Sequence, residues 1–189
     1  MARQRDIIQQ MSDKELGKQL ILSQMLLFIL SFVLSLFFFD HVAQWLDYFQ
    51  LDMREVVWYG VIPGLVIVLC DLLLMYIFPK RYYDDGGINN KIFQNRSIGS
   101  IFLIVLLVAV SEELLFRGVL QTTFGFILAS SIFALVHIRY ITKPVLLVSV
   151  LFVSFYIGYM FELTGNLFTT ITAHFIVDFL LGLIIRFQK

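Results

Sequence analysis

The sequence contains little charge, a single cysteine and only three prolines. Charged residues make up 15% of it, well below the roughly 25% that is usual in soluble domains. Because Cys70 is the only cysteine, no disulfide can form within the chain, and cysteine usage does not indicate a redox compartment. Basic and acidic residues number 14 each, so the formal net charge is zero and no nucleic-acid partner is implied.

Apolar residues are abundant instead, at 59% of the 189 residues, with 20 phenylalanines among them. Soluble domains contain about 45–50% apolar residues. We therefore predict an integral membrane protein built as an all-α, polytopic bundle of transmembrane helices. The first apolar run, Leu20 to Phe39, exceeds the roughly 7–15 apolar residues of a signal peptide, so a cleaved signal is not expected.

Six apolar segments approach the roughly 20 residues that are needed to cross the hydrocarbon core. Their approximate bounds are 20–39, 56–78, 98–123, 125–142, 145–163 and 166–185. The last four are joined by very short connections, so we predict that they pack as antiparallel neighbours. The chain then divides into a polar lead-in, two helices with a loop, and a four-helix core, at residues 1–19, 20–97 and 98–186.

Basic residues are distributed unevenly between the two predicted sides of the membrane. If the N-terminus lies inside, the inner segments hold 12 of the 14 lysines and arginines, and Arg54 is the one basic residue of an outer loop. The positive-inside rule then predicts that both termini are cytosolic. We expect a multi-pass protein of the cell membrane.

Three fragments place ionisable groups inside these apolar segments. Their ionisable and flanking aromatic residues are Glu112, Glu113 and Arg117 in the third segment, Phe133 and His137 in the fourth, and His174 and Asp178 in the sixth. A charged group at that depth costs roughly 2.5–3.5 kcal/mol on insertion scales, and such residues usually serve a function. The fragments are therefore the strongest functional signal in the sequence.

The depths of these groups can be compared by counting residues from the helix ends. At about 1.5 Å per residue, Glu112 and His137 both lie roughly 18–20 Å from the hairpin tip at Gly125. Counted from the outer end of the sixth segment, His174 lies roughly 13 Å deep and Asp178 roughly 20 Å deep. We therefore expect four groups from three helices to converge on one layer, on the cytosolic side of the midplane.

The two adjacent glutamates are predicted to differ in role. Glu113 and Arg117 are four residues apart with the acid first, an arrangement that favours an ion pair. Glu112 has no cationic partner in its own helix, so it is the glutamate left free to take a proton from water as a general base. His174 and Asp178 are also four residues apart, so we expect Asp178 to bond a ring nitrogen of His174 and fix its tautomer.

Each group also has a purely structural interpretation. Glu113 with Arg117 could be a buried pair that orients a helix, and each histidine could make an interhelical hydrogen bond. Two histidines and a glutamate could equally bind zinc, although the sequence contains no HExxH.

Asp71 is a further acidic residue inside an apolar segment, the second one. It lies at a depth comparable to the other groups. Of two interpretations, that it lines the same cavity or that it reaches Lys80 and Arg81 at the inner boundary, we favour the second.

The three fragments resemble the signature of the CAAX-protease and bacteriocin-processing (CPBP, Abi) family of intramembrane proteases. That family shows EExxxR, then FxxxH, then His-xxx-Asn or Asp, and the resemblance covers residues 98–185. It implies a glutamate-dependent peptidase with no metal cofactor, in which Glu112 activates water and His137 holds the water or the substrate carbonyl. His174 with Asp178 would stabilise the oxyanion, and Glu113 with Arg117 would support the site.

Asp178 stands where the eukaryotic prenyl-protein proteases of that family carry Asn. An ionised aspartate cannot donate a hydrogen bond to an oxyanion. Asp178 must therefore act through His174 or stay protonated.

Three functions remain open at this point. The first is an intramembrane endopeptidase that acts on a membrane-associated, prenylated or leader-peptide-type substrate. The second is a non-catalytic membrane regulator or bacteriocin self-immunity protein, and the third is a proton-coupled transporter. The complete signature favours the enzyme, and the lack of a duplicated half disfavours the transporter. Expected partners are a peptide or lipidated protein substrate and membrane lipids, whereas the oligomeric state is not indicated.

Overall fold

The computed structural model describes residues 10–188, which contain helices and turns and no β-strand. The predicted all-α membrane bundle is confirmed for this part of the chain. Residues 1–9, with Arg3 and Arg5 of the predicted lead-in, and Lys189 lie outside the described residues.

Seven helices follow one another within residues 10–188. They are α1 (Asp13–Phe38), α2 (Met53–Ile77), α3 (Ile88–Phe93), α4 (Ile98–Phe124), α5 (Phe126–Val136), α6 (Pro144–Thr164) and α7 (Leu167–Phe187). Five of them, α1, α2, α4, α6 and α7, are long and apolar enough to cross a membrane. Short 3₁₀ turns connect them at Val42–Tyr48, Lys80–Tyr82 and Ile138–Tyr140.

The fourth predicted segment, 125–142, differs from expectation because its helix is short. Helix α5 has 11 residues, which extend about 16 Å at 1.5 Å per residue. It ends at His137, whose ring Nδ1 lies 2.9 Å from the Phe133 carbonyl oxygen. In a continued α-helix, the Phe133 carbonyl would accept a hydrogen bond from the backbone N–H of His137. That N–H instead donates to the Ala134 carbonyl oxygen. The side chain thus competes with the helix and ends it.

Helix α7 lies at the centre of the bundle, against α2, α4 and α6. Its buried residues Ala173 and Val177 belong to a core cluster with residues of α2 and α6. Gly64 of α2 permits a close approach, because a Cβ atom there would lie 3.2 Å from the Ala173 carbonyl oxygen. Small residues commonly let membrane helices pack this closely. The packing sets the position of α7 and therefore of His174.

Helix α4 widens into a π-helical stretch at Leu114–Gln121, directly after the two glutamates. Such π turns are rare and often occur at functional sites. Gly118, inside the stretch, faces Trp45 of the first 3₁₀ turn, and a Cβ atom on Gly118 would lie 2.7 Å from the Trp45 ring. The segment between α1 and α2 is thus packed directly onto the widened part of α4.

Candidate active site

One cavity of about 260 Å³ is lined by all four predicted catalytic residues, Glu112, His137, His174 and Asp178. Helices α1, α2, α4, α6 and α7 and the end of α5 contribute to its wall. The lining also includes Asn89 and Arg139, from segments that are predicted to face the cytosol. The residue count along the helices therefore anticipated a layer that exists in the folded protein.

Glu113 lies beneath the cavity, with 0% of its surface exposed. Its Oε1 atom is 3.2 Å from Nη1 of Arg117 and 2.8 Å from Nδ1 of His174. The expected pair between Glu113 and Arg117 is thus present in the structure, and it extends to a histidine on another helix. Because a carboxylate oxygen accepts hydrogen bonds, Nδ1 of His174 carries a hydrogen in this arrangement.

The partner that fixes the tautomer of His174 is Glu113, which corrects the expectation that Asp178 would do so. Oδ2 of Asp178 lies 3.5 Å from Nε2 of His174, a longer contact than the 2.8 Å made by Glu113 on the other nitrogen. Residue spacing places Asp178 one turn from His174, but the rotation of the imidazole ring depends on the neighbouring helix. Nε2 is consequently the nitrogen that faces the cavity.

Glu112 presents its two oxygens to different partners. Oε2 lies 3.9 Å from Nε2 of His174. Oε1 accepts a hydrogen bond of 2.9 Å from the side-chain amide of Gln24, on α1. Sequence reasoning missed Gln24, although a buried amide inside the first apolar run is the same kind of signal as a buried carboxylate.

His137 closes another side of the cavity at the end of α5. With its Nδ1 bonded to the Phe133 carbonyl, the neutral ring leaves Nε2 as a hydrogen-bond acceptor. The ring stacks on Tyr140 and packs against Phe133, with centroid distances of 5.8 and 5.0 Å. Phe133 thus packs directly against the His137 ring that lines the cavity.

Phe133 also connects the cavity wall to the buried charge below it. Its ring centroid lies 4.4 Å from the guanidinium carbon of Arg117 and 5.9 Å from the ring of His174. Arg117 in turn donates a hydrogen bond to the Ser154 carbonyl on α6. This set of contacts holds α4, α5, α6 and α7 together at the level of the cavity.

Asp71 lines the cavity, so the favoured interpretation that it reaches Lys80 and Arg81 is wrong. Its Oδ1 atom accepts a hydrogen bond of 2.7 Å from the Ser149 hydroxyl on α6. Spacing alone could not decide this, because the direction in which Asp71 points depends on how α2 packs against α6.

The carboxylate and imidazole side chains of the site are also of the types that bind zinc. Within residues 10–188, no three His, Cys, Asp or Glu side chains form a cluster that could hold a metal ion. Two of the acidic oxygens near the histidines already have other partners, Arg117 for Glu113 and Gln24 for Glu112.

Comparison with known proteins places the chain in a family. A family model described as type II CAAX prenyl endopeptidase Rce1-like matches residues 94–180, which include every residue from Glu112 to Asp178 that was predicted to form the site. The chain is 45% identical over 167 residues to the uncharacterized protein YpbD of Bacillus subtilis (strain 168), and the match covers 88% of each chain. No solved structure matches the chain. The chain therefore belongs to the Rce1-like family of type II CAAX prenyl endopeptidases.

Proposed function

We propose that the protein is an intramembrane endopeptidase that hydrolyses a peptide bond with a water molecule activated by Glu112. One observation carries the proposal. Oε2 of Glu112 and Nε2 of His174 face each other across 3.9 Å in a cavity that His137 also lines. A carboxylate and two imidazoles in one cavity provide a base for water and donors for a developing oxyanion, which peptide hydrolysis requires.

Glu112 serves as the base in this mechanism. It takes one proton from the water while the water oxygen forms a bond to the carbonyl carbon of the substrate. When the carbon–nitrogen bond breaks, the protonated Glu112 returns that proton to the leaving amine. The same group thus acts first as base and then as acid.

His174 is oriented for the negative charge that develops on the carbonyl oxygen. Because Nδ1–H is held by Glu113, Nε2 donates to the oxyanion when the ring carries both protons. Carboxylates on three sides, from Glu113, Glu112 and Asp178, stabilise this cationic ring. Preorganised donors of this kind lower the barrier because they need no reorganisation during the reaction.

Asp178 acts through His174 in this mechanism. Its side chain is 39% exposed and lies 3.5 Å from Nε2, so it can stabilise the imidazolium without contacting the substrate. An ionised aspartate at position 178 is compatible with this role, because Asp178 does not itself donate a hydrogen bond to the oxyanion. His137 contributes Nε2 as an acceptor that holds the attacking water.

The family and the cavity wall support a proposal for the substrate class. The wall combines apolar side chains such as Leu20, Leu146 and Val150 with the polar groups of the site. We propose a membrane-associated peptide, either prenylated at its C-terminus or of the leader-peptide type, cleaved in the cell membrane without a metal ion.

Glu112→Gln tests the proposal, because it is nearly isosteric and removes the base. The full chain in lipid nanodiscs is given an internally quenched farnesylated CaaX-type peptide, with the unprenylated peptide as a comparison. We expect the rate to fall by at least about a hundredfold, the lower range for a lost general base. A matched Ser31→Ala variant alters a buried serine of α1 that bonds only its own helix and should keep the wild-type rate.

A second readout covers substrates other than the farnesylated peptide. Peptides are compared in membranes and medium of cells that carry wild type or Glu112→Gln at equal protein levels. Identical peptide sets together with unchanged probe cleavage would overturn the peptidase proposal. A cellular phenotype that survived Glu112→Gln would then favour a non-catalytic regulator.

A further inference from the structure

The geometry points to Gln24 as a positioning residue for the general base: its amide binds Oε1 of Glu112 and leaves Oε2 as the oxygen that takes the proton from water. The inference rests on the proposed peptidase function, and it adds a residue that lies outside the matched family region, 94–180. It also makes α1 a part of the active site, where the sequence had indicated a four-helix core beginning at residue 98.

The contact between Gln24 and Glu112 is buried and direct. Gln24 is 5% exposed and Glu112 is 8% exposed, and the amide nitrogen lies 2.9 Å from Oε1. Both side chains line the cavity. A hydrogen bond to a charged group in such a setting is stronger than one between neutral groups.

The charge of Glu112 and a second contact together orient the Gln24 amide. Its Oε1 atom lies 2.6 Å from the hydroxyl oxygen of Ser111, which is fully buried beside Glu112 on α4 and also lies 2.7 Å from the Leu107 carbonyl oxygen. If the amide were flipped, its oxygen would face a carboxylate oxygen of Glu112, and two acceptors would be in contact. The carboxylate therefore favours the orientation in which the amide N–H points at Glu112 and the amide oxygen faces Ser111.

This arrangement makes the two oxygens of Glu112 inequivalent. Oε1 is held by Gln24, whereas Oε2 points toward His174, where the water and the substrate carbonyl must meet. Without Gln24, the carboxylate could rotate about its last side-chain torsion, which is broad and roughly two-fold. Holding a reacting group in one orientation lowers the activation free energy, because the group does not lose rotational freedom during the reaction.

A purely structural alternative would assign Gln24 to the packing of α1 against α4. The two interpretations predict different results for variants that keep the shape of the side chain. Gln24→Met keeps the length of the side chain and loses both polar atoms without adding a charge beside Glu112. A packing role would tolerate this change when the folded protein is unchanged, whereas a positioning role would not.

The first readout needs no substrate. The infrared difference spectrum between wild type and Glu112→Gln in nanodiscs isolates the carboxyl band of Glu112, and the same difference is recorded in a Gln24→Met background. We expect the band to shift, because the carboxyl group has lost its amide donor. Ser31→Ala serves as the matched α1 control and should leave the band in place.

The second readout is the rate of cleavage of the farnesylated peptide, or the release of Glu112-dependent peptides from cells. For Gln24→Met we expect kcat to fall about tenfold with KM within about twofold of wild type, as for an interaction that acts in the transition state. Thermal unfolding of each variant checks that the fold is retained.

The outcomes separate this inference from the proposed function. An unshifted Glu112 band overturns the role of Gln24, whatever the activity. A shifted band with wild-type kcat also overturns it, because the contact then exists without positioning the base. If Glu112→Gln itself leaves cleavage and peptide release unchanged, the peptidase proposal fails, and the infrared result still reports whether Gln24 holds Glu112.

Discussion

Removing the charge of Glu113 should destabilise the protein strongly, because Arg117 would remain buried without its counterion. Glu113 is 0% exposed and Arg117 1% exposed, and their nearest charged atoms lie 3.2 Å apart. Breaking a buried ion pair by removing one partner typically costs about 3–5 kcal/mol. Arg117 keeps its hydrogen bond to Ser154 and its contact with the Phe133 ring, so we expect Glu113→Gln to cost about 3 kcal/mol, at the low end of that range.

A double-mutant cycle tests the cause of this cost. Replacing both charges, with Glu113→Gln and Arg117→Met, removes the unpaired cation, and buried ion pairs can often be replaced by apolar residues of similar volume at little cost. The double variant should therefore recover about 2 kcal/mol relative to Glu113→Gln alone. Activity should not recover, because His174 would have lost its charged partner.

Unfolding can be followed in mixed micelles by the fluorescence of Trp45, which is buried against the widened part of α4. Trp58 is 61% exposed, so a Trp58→Phe background leaves one reporter. A cost below about 1 kcal/mol for Glu113→Gln, or a double variant whose cost equals the sum of the single costs, would refute the charge-compensation argument.

Two further predictions concern Asp71 and the topology. Because Asp71 bonds Ser149, Asp71→Asn and Lys80→Met should destabilise the protein additively in the same unfolding assay; a coupling above about 0.5 kcal/mol would instead indicate an ion pair between these side chains. A reporter fused after Tyr48 should report the outer side of the membrane, and one fused after Asp85 the cytosol; the opposite result would place the cavity at the other leaflet.

The convergence of the site residues could be predicted because it depends on distances along the chain. Short connections force helices to be antiparallel neighbours, so counting residues places Glu112 and His137 at one depth. The pair between Glu113 and Arg117 lies within one helix and follows from helical spacing alone. These features require no knowledge of how the helices are rotated or which distant helices meet.

Other features depended on packing between helices that spacing does not encode. Gln24 reaches Glu112 only because α1 packs against α4, and these residues are 88 positions apart. The bond from His174 to Glu113 depends on the rotation of α7, and the direction of Asp71 depends on how α2 packs against α6. The early end of α5 depends on His137 competing for a backbone carbonyl, which apolar composition does not reveal.

The short helix α5 has a consequence for the supply of water to the reaction. Its 11 residues extend over about half of a hydrocarbon core of roughly 30 Å, so a turn within the core would follow a helix of this length. Non-helical backbone is tolerated at such depth only when it is buried in protein or borders water. Ile138, Arg139 and Thr142 of this turn are exposed, and Arg139 lines the cavity. We therefore expect water, the second reactant of hydrolysis, to reach Glu112 past this turn, because side chains of the turn are exposed and one of them borders the cavity.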